Sequence, residues 1–184
     1  MMLGGCLTKG NGMAEVVLAQ GRIMLRHWSE TDADSLFALA SDPEVAEAAP
    51  FPVHCDREES LRVIREVFCA HESYAIVFRH DNKLMGCINV FPDKKGEDVY
   101  TSRTVKLGYW LGRPFWGKGF MTEAVKALCS HCFHSGRFTC EGVVGMTSPG
   151  NLRSRRVMEK SGFRLVEEND RLARYLCESK MAEW

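Results

Sequence analysis

Thr104 to His134 reads TVKLGYWLGRPFWGKGFMTEAVKALCSHCFH, and this stretch decides the fold. Thr104 to Leu111 is β-branched, aromatic and apolar, as a strand is. Gly112 to Gly119 is a turn with three glycines. From Phe120 to His134 the period becomes helical, with Ala124, Val125, Leu128, Cys129 and Cys132 expected on the buried face. A helix N-terminus leaves backbone N–H groups unpaired and carries a partial positive charge, so a glycine turn leading into one suits a phosphate. Two turns of this kind are excluded here. Gly112 to Gly119 comes within one residue of the nucleotide-triphosphate loop, but Gly119 stands where a hydroxyl must hold magnesium. A dinucleotide fingerprint needs a third glycine, and position 122 is Thr. What remains is a turn that binds a diphosphate without a metal.

Upstream, Arg22 to Trp28 alternates like a first strand. Thr31 with Asp34 resembles a capping box, opening a helix that carries Leu36, Phe37, Leu39 and Ala40 and that Asp42-Pro43 stops. Ala49-Pro50-Phe51-Pro52 is a stiff extended loop, because a residue before proline is pushed away from helix. Asp56 with Glu59 caps a second helix bearing Leu61, Ile64 and Phe68. Tyr74 to Phe78 and Leu84 to Phe91 form a hairpin through His80 to Lys83, and Pro92 to Thr101 is a charged surface loop. Downstream lie a strand at Glu141 to Thr147, a helix capped at Asn151 and ending at Ser161-Gly162, and a strand pair at Arg164 to Glu168 and Arg171 to Cys177. The order predicts one α/β domain with a largely antiparallel sheet. Residues 1–20 read as a flexible leader, leaving 21–184 as the domain.

Composition narrows the function. Lys plus Arg and Asp plus Glu each total 24, so the net charge is zero. Such a chain has no global field for a nucleic-acid backbone or an anionic membrane, and no apolar run is long enough for a bilayer span. The densest basic patch is Arg153-Ser154-Arg155-Arg156, either a solvated helix face or an anion contact. Of the eight cysteines, Cys69, Cys87, Cys129, Cys132 and Cys140 sit in apolar segments, as reduced core thiols do. Cys129 and Cys132 lie one helical turn apart with no second C-x-x-C pair, so no zinc site is expected.

Two motifs make the reading specific. Leu107-Gly108-Tyr109-Trp110-Leu111 with Phe115 to Ala124 resembles the acetyl-CoA motif of the GNAT family of N-acetyltransferases. Asn151, Ser154, Arg155, Val157, Met158, Glu159, Lys160, Ser161, Gly162 and Phe163 resemble the second motif of that family. The nearest branch is that of the ribosomal-protein N-terminal alanine and serine acetyltransferases. Leu25-Arg26, Asp42 to Val45, Pro50-Phe51-Pro52 and the terminal Glu183-Trp184 also fit it, and the likeness spans about residues 20–184. Trp116 and Met121 depart from the broad family pattern in a way familiar in this branch.

The resemblance implies a GNAT-like domain, a mixed sheet flanked by helices on both faces, and acetyl-CoA as co-substrate. It implies that Trp116, Gly117, Lys118, Gly119, Phe120 and Met121 form the cofactor turn, with backbone N–H groups cradling the diphosphate. Trp110 and Leu111 would pair through backbone with the pantetheine arm, Asn151 would hold that arm, and Ser154 would sit at the sulfur as the catalytic residue. Read without the motif, Asn151 is a helix cap and Ser154 an exposed polar residue. No base is assigned: His54, Glu47, Glu97 and Glu178 all read as surface residues, and water is the other carrier of the proton. Trp110, Tyr109 and Phe51 are candidates to line the acceptor pocket. The implied reaction is direct attack of a primary amine, a peptide N-terminus or a small molecule, on acetyl-CoA in a ternary complex. Zero net charge argues against a strongly basic ribosomal target as the sole substrate. The expected protein is cytoplasmic, a monomer or homodimer, without nucleic-acid or membrane partners. The rival class is a CoA-binding sensor or scaffold that keeps the fold without turnover.

Overall fold

The computed structural model describes residues 16–69, 72–92, 103–136 and 140–181. Eight strands form one sheet in the order β1-β2-β3-β4-β5-β6-β8-β7. They are Val16–Gln20 (β1), Ile23–Arg26 (β2), Glu72–Phe78 (β3), Leu84–Pro92 (β4), Thr104–Leu111 (β5), Gly142–Thr147 (β6), Arg164–Glu168 (β7) and Ala173–Glu178 (β8). Antiparallel pairing joins β1 to β2, β2 to β3, β6 to β8 and β7 to β8, while β5 and β6 run parallel. The helices are Ala33–Ala40 (α1), Pro43–Ala48 (α2), Arg57–Val63 (α3), Phe120–His134 (α4) and Leu152–Lys160 (α5). This is the mixed, largely antiparallel α/β architecture expected from the element order.

The chain gathers into two compact units. One is the described part of Met1–Asn89 with Tyr109–Trp116; the other is Val90–Gly108 with Gly117–Trp184, so β4 and β5 contribute residues to both. In the first unit, α1, α3 and the strands bury Trp28, Leu36, Ile64 and Val77, and Phe51 and Trp110 pack against that core. The guanidinium of Arg26 is buried there with the Asp32 carboxylate at 2.7 and 2.8 Å, and its Nε donates to Asn82 at 3.0 Å. In the second unit, α4 buries Ala124, Val125, Leu128, Cys129 and Cys132, the face its period predicts. Gly145 of β6 lies directly under Met158 of α5, where a Cβ would meet the sulfur and methyl carbon.

Four local expectations are corrected. Val16–Gln20, assigned to the leader, forms β1: Gly21 at φ 56° allows a tight reversal that sets Gln20 opposite Ile23. Residues 1–15 of that leader lie outside the described residues. Asp42-Pro43 opens α2 instead of merely ending α1: Asp42 Oδ1 accepts from the Glu44 N–H at 3.0 Å, and Pro43 takes the first turn, where its missing N–H costs nothing. The capping box falls at Ser29 and Asp32, because Ser29 has the extended backbone a cap needs; Asp34 pairs instead with Arg57 at 3.0 Å. The second helix ends at Val63 and continues as one π turn, Ile64–Phe68. The loop expected at Pro92 to Thr101 lies outside the described residues from position 93 onward.

Candidate active site

β5 leads into a 3-10 turn at Arg113–Phe115 and then to α4. Gly117 and Gly119 have φ of 72° and 84°, a region that costs other residues roughly 1–2 kcal/mol. Gly119 occupies the N-cap position of α4 and supplies no side chain to its N–H groups. A Cβ on Gly117 would meet nothing within 4 Å. The turn therefore offers an uncapped fifteen-residue helix start beside open space, the arrangement that favours an anion. Gly117, Lys118 and Gly119 are exposed, whereas the side chains of Phe120 and Met121 are buried at 8% and 6%. Whatever those two give a ligand comes from their backbone.

The end of β5 is held from several sides. The Trp116 indole N–H donates to the Leu111 carbonyl at 2.6 Å, and the Gly112 N–H donates to Met85 at 2.9 Å. Gly86 lets β4 approach closely: a Cβ there would lie 2.8 Å from Leu111 Cα and against the Trp110 carbonyl. Arg113 bonds Asp42 at 3.0 Å and Glu44 at 2.7 Å, tying the turn to α2. Trp116 thus braces the turn, and Leu111's carbonyl is already engaged. The Trp110 ring, half-buried, packs on Phe51 at 5.3 Å, and Tyr109 is half-buried beside it in sequence.

The second motif lies on α5. Asn151 is its N-cap, with Oδ1 accepting from the Ser154 N–H at 3.1 Å. Ser154 is half-buried in the first turn, not the exposed polar residue of the alternative reading. The basic patch is not uniformly solvated either. Arg155 donates to the buried Tyr175 hydroxyl at 3.0 Å and to Glu168 at 2.6 Å, while Arg153 and Arg156 are exposed.

The four base candidates separate sharply. Glu47 is exposed, and Glu97 lies outside the described residues. Hydrogen bonds from Arg164 and Lys180 hold the Glu178 carboxyl below its ordinary value. His54 corrects the surface reading: it is only 7% exposed, with Nδ1 2.8 Å from Ser60 Oγ and the Phe51 ring at 6.0 Å. Burial pushes its pKa down, with the Glu59 charge opposing. Two signals in the sequence bear on this, the Pro-Phe-Pro stiffening before His54 and the Asp56 cap after it.

Cys87, Cys129, Cys132 and Cys177 are buried free thiols, and burial pushes the Cys87 thiol up to about 12. Among the described residues, no three His, Cys, Asp or Glu side chains are grouped to hold a metal, and no helix is long and apolar enough to cross a membrane.

A glycine turn that follows a strand and leads into a helix without a side-chain cap, on a mixed sheet, is an arrangement that suits a phosphate-bearing ligand. The chain belongs to the acetyltransferase (GNAT) domain family, whose model matches residues 22–164. By family it is an acyltransferase that uses acetyl-CoA. A probable N-acetyltransferase of Bacillus subtilis (strain 168), YjcK, is 33% identical over 90 residues, 49% of this chain and 46% of that protein, so the match spans less than half of that relative. Solved structures share the fold, RimL and AAC(6')-Ib among them. RimL, a ribosomal alpha-N-protein acetyltransferase, has TM-score 0.70 at 19% identity, covering 95% of this chain and 99% of its own. AAC(6')-Ib in complex with ribostamycin and coenzyme A has TM-score 0.69 at 19% identity, covering 89% and 97%.

Proposed function

We propose that residues 21–184 transfer the acetyl group of acetyl-CoA to a primary amine by direct attack in a ternary complex, in the cytoplasm. The observation that carries this is the uncapped start of α4, preceded by Gly117 and Gly119 in left-handed conformation. In this reading the N–H groups of residues 117–121 receive the diphosphate, with Trp116 and Lys118 completing the turn. Backbone of Trp110 and Leu111 pairs with the pantetheine arm, and the Trp116 bond to Leu111 keeps that strand end in register. A backbone N–H of the same strand stabilises the oxyanion as the thioester carbonyl becomes tetrahedral. Asn151 keeps α5 capped, and Ser154 gives a proton to the departing sulfur. The chemistry itself asks for no metal.

The acceptor is an amine on a peptide N-terminus or a small molecule. The relatives named above span both kinds, a ribosomal-protein acetyltransferase and an enzyme bound to an aminoglycoside. Thiol release from acetyl-CoA with a mixed panel of amines and peptides tests the reading. Amine-dependent release is expected, and tight acetyl-CoA binding with no release for any member would indicate a cofactor-binding protein without turnover.

A further inference from the structure

We infer that His54 is the base of this site, its Nε2 accepting the proton that the incoming ammonium must lose, directly or through one water. The inference rests on the acetyl-transfer reading above and on how the ring is held. Ser60 is fully buried on α3, and its hydroxyl donates to the Asp56 carbonyl at 3.3 Å. Having one proton, that hydroxyl must accept from the ring, so the 2.8 Å contact is Nδ1–H to Ser60 Oγ. The tautomer follows: the lone pair is on Nε2. Among the described residues Nε2 has no hydrogen-bond partner, and it is not one of the polar atoms sealed from solvent. The backbone N–H of His54 donates to Ala40 at 3.2 Å, so main chain and ring are both anchored. Two ring contacts, 6.0 Å to Phe51 and then 5.3 Å to Trp110, lead from the imidazole to the strand proposed to carry the thioester.

The environment suits the role. Burial keeps the imidazole neutral near pH 7, and Glu59, whose Oε2 accepts from the Cys55 N–H at 2.6 Å, is the charge that opposes it. In the step, the ammonium N–H bond breaks and an Nε2–H bond forms. The freed lone pair attacks the thioester carbon, making C–N and pushing the carbonyl pair onto oxygen. As that pair returns, C–S breaks; the Ser154 hydroxyl gives its proton to the sulfur and takes the nitrogen's second proton, giving amide and thiol. The imidazolium, disfavoured in its buried setting, then releases its proton to water.

The test uses the full chain with acetyl-CoA and an amine that the wild type acetylates. His54→Gln should lower kcat by about 100-fold while calorimetry shows acetyl-CoA affinity unchanged. His54→Ala should lose as much, and added imidazole should restore part of the rate. Ser60→Ala keeps the ring but frees the tautomer, and should lower kcat severalfold; it guards against a His54 variant that fails to fold. A folded His54→Gln with near wild-type kcat, or a His54→Ala deficit that imidazole leaves untouched, overturns the base and leaves acetyl transfer standing. A wild type that acetylates no amine overturns acetyl transfer, and the base with it.

Discussion

The indole N–H of Trp116 donates to the carbonyl oxygen of Leu111 at 2.6 Å, closing the turn between the end of β5 and the start of α4. One side chain thereby ties the chain back to the strand end just before Gly117. Trp116→Phe keeps the ring and removes the donor. A net hydrogen bond is worth about 0.5–1.5 kcal/mol, so acetyl-CoA affinity should fall about two- to tenfold, read by calorimetry. Affinity equal to wild type would show that the brace does not govern the turn.

Gly119 sits at φ 84°, in the left-handed region. Valine is branched at Cβ and strongly disfavours that conformation. Gly119→Val should abolish acetyl-CoA binding while the far-ultraviolet circular dichroism stays close to wild type. Unchanged affinity in a folded variant would remove the turn from the cofactor site. Added magnesium should change wild-type affinity only slightly, and a strict magnesium requirement would contradict a turn built from bare backbone.

Ser154 bears on the leaving group. The thiolate of CoA should resemble a free cysteine, with pKa ~8.5, and leaves tolerably well at neutral pH without a donor. Ser154→Ala should therefore lower kcat about ten- to a hundredfold, the low end for acid catalysis, with little change in acetyl-CoA affinity. The deficit should shrink at lower pH once loss of free amine is corrected against the wild type. A variant with wild-type kcat would leave Ser154 as a helix residue only.

Arg26 and Asp32 form a pair with side chains only 6% and 9% exposed. Asp32→Ala strands a buried guanidinium and should cost about 3–5 kcal/mol in denaturant unfolding. Replacing both by leucine should recover much of that loss, because desolvation of the two charges disappears together. A single variant as stable as wild type would mean that water reaches the site.

His54 sets a pH dependence. Its folded pKa lies below the ordinary 6.5, so the unfolded chain binds more protons there and stability falls as pH drops below about 6.5. Glu30 and Glu178, both lowered from 4.5 by basic partners, contribute stability that is lost only in a more acidic window. Between pH 7 and 5, His54→Gln should therefore flatten the slope of the unfolding free energy. A slope unchanged by the substitution would assign that window to other groups.

The glycine turn and α4 were legible from residues because each signal is local. The 3.6 period fixes the buried face, and two glycines mark the entry. The β3–β4 hairpin was legible for the same reason: Asn82 takes φ 58° at its reversal, as the His80 to Lys83 turn implies. β1 was hidden because five residues beside a glycine-rich leader carry little pattern, and their pairing depends on Gly21. Asp-Pro misled because one dipeptide both ends a helix and begins another. The Trp116 bond to Leu111 and the burial of His54 form only on folding, although the Pro-Phe-Pro loop and the Asp56 cap flank His54 in the sequence. Ser60 is six positions from His54, yet the bond between them depends on how the loop folds back onto α3.

The burial of the thiols makes the chain chemically asymmetric. Alkylating and disulfide reagents attack thiolates, and Cys87, Cys129 and Cys177 hold theirs out of reach through desolvation. Cys55 is the exposed cysteine among the described residues, and it adjoins His54 in sequence. A dye placed there under gentle conditions sits next to the residue proposed as the base, while Cys87, Cys129, Cys132 and Cys177 stay buried. The same packing that stabilises the fold thus leaves a place for an optical label next to the proposed base, where a change in its signal on adding an amine would report binding without following product.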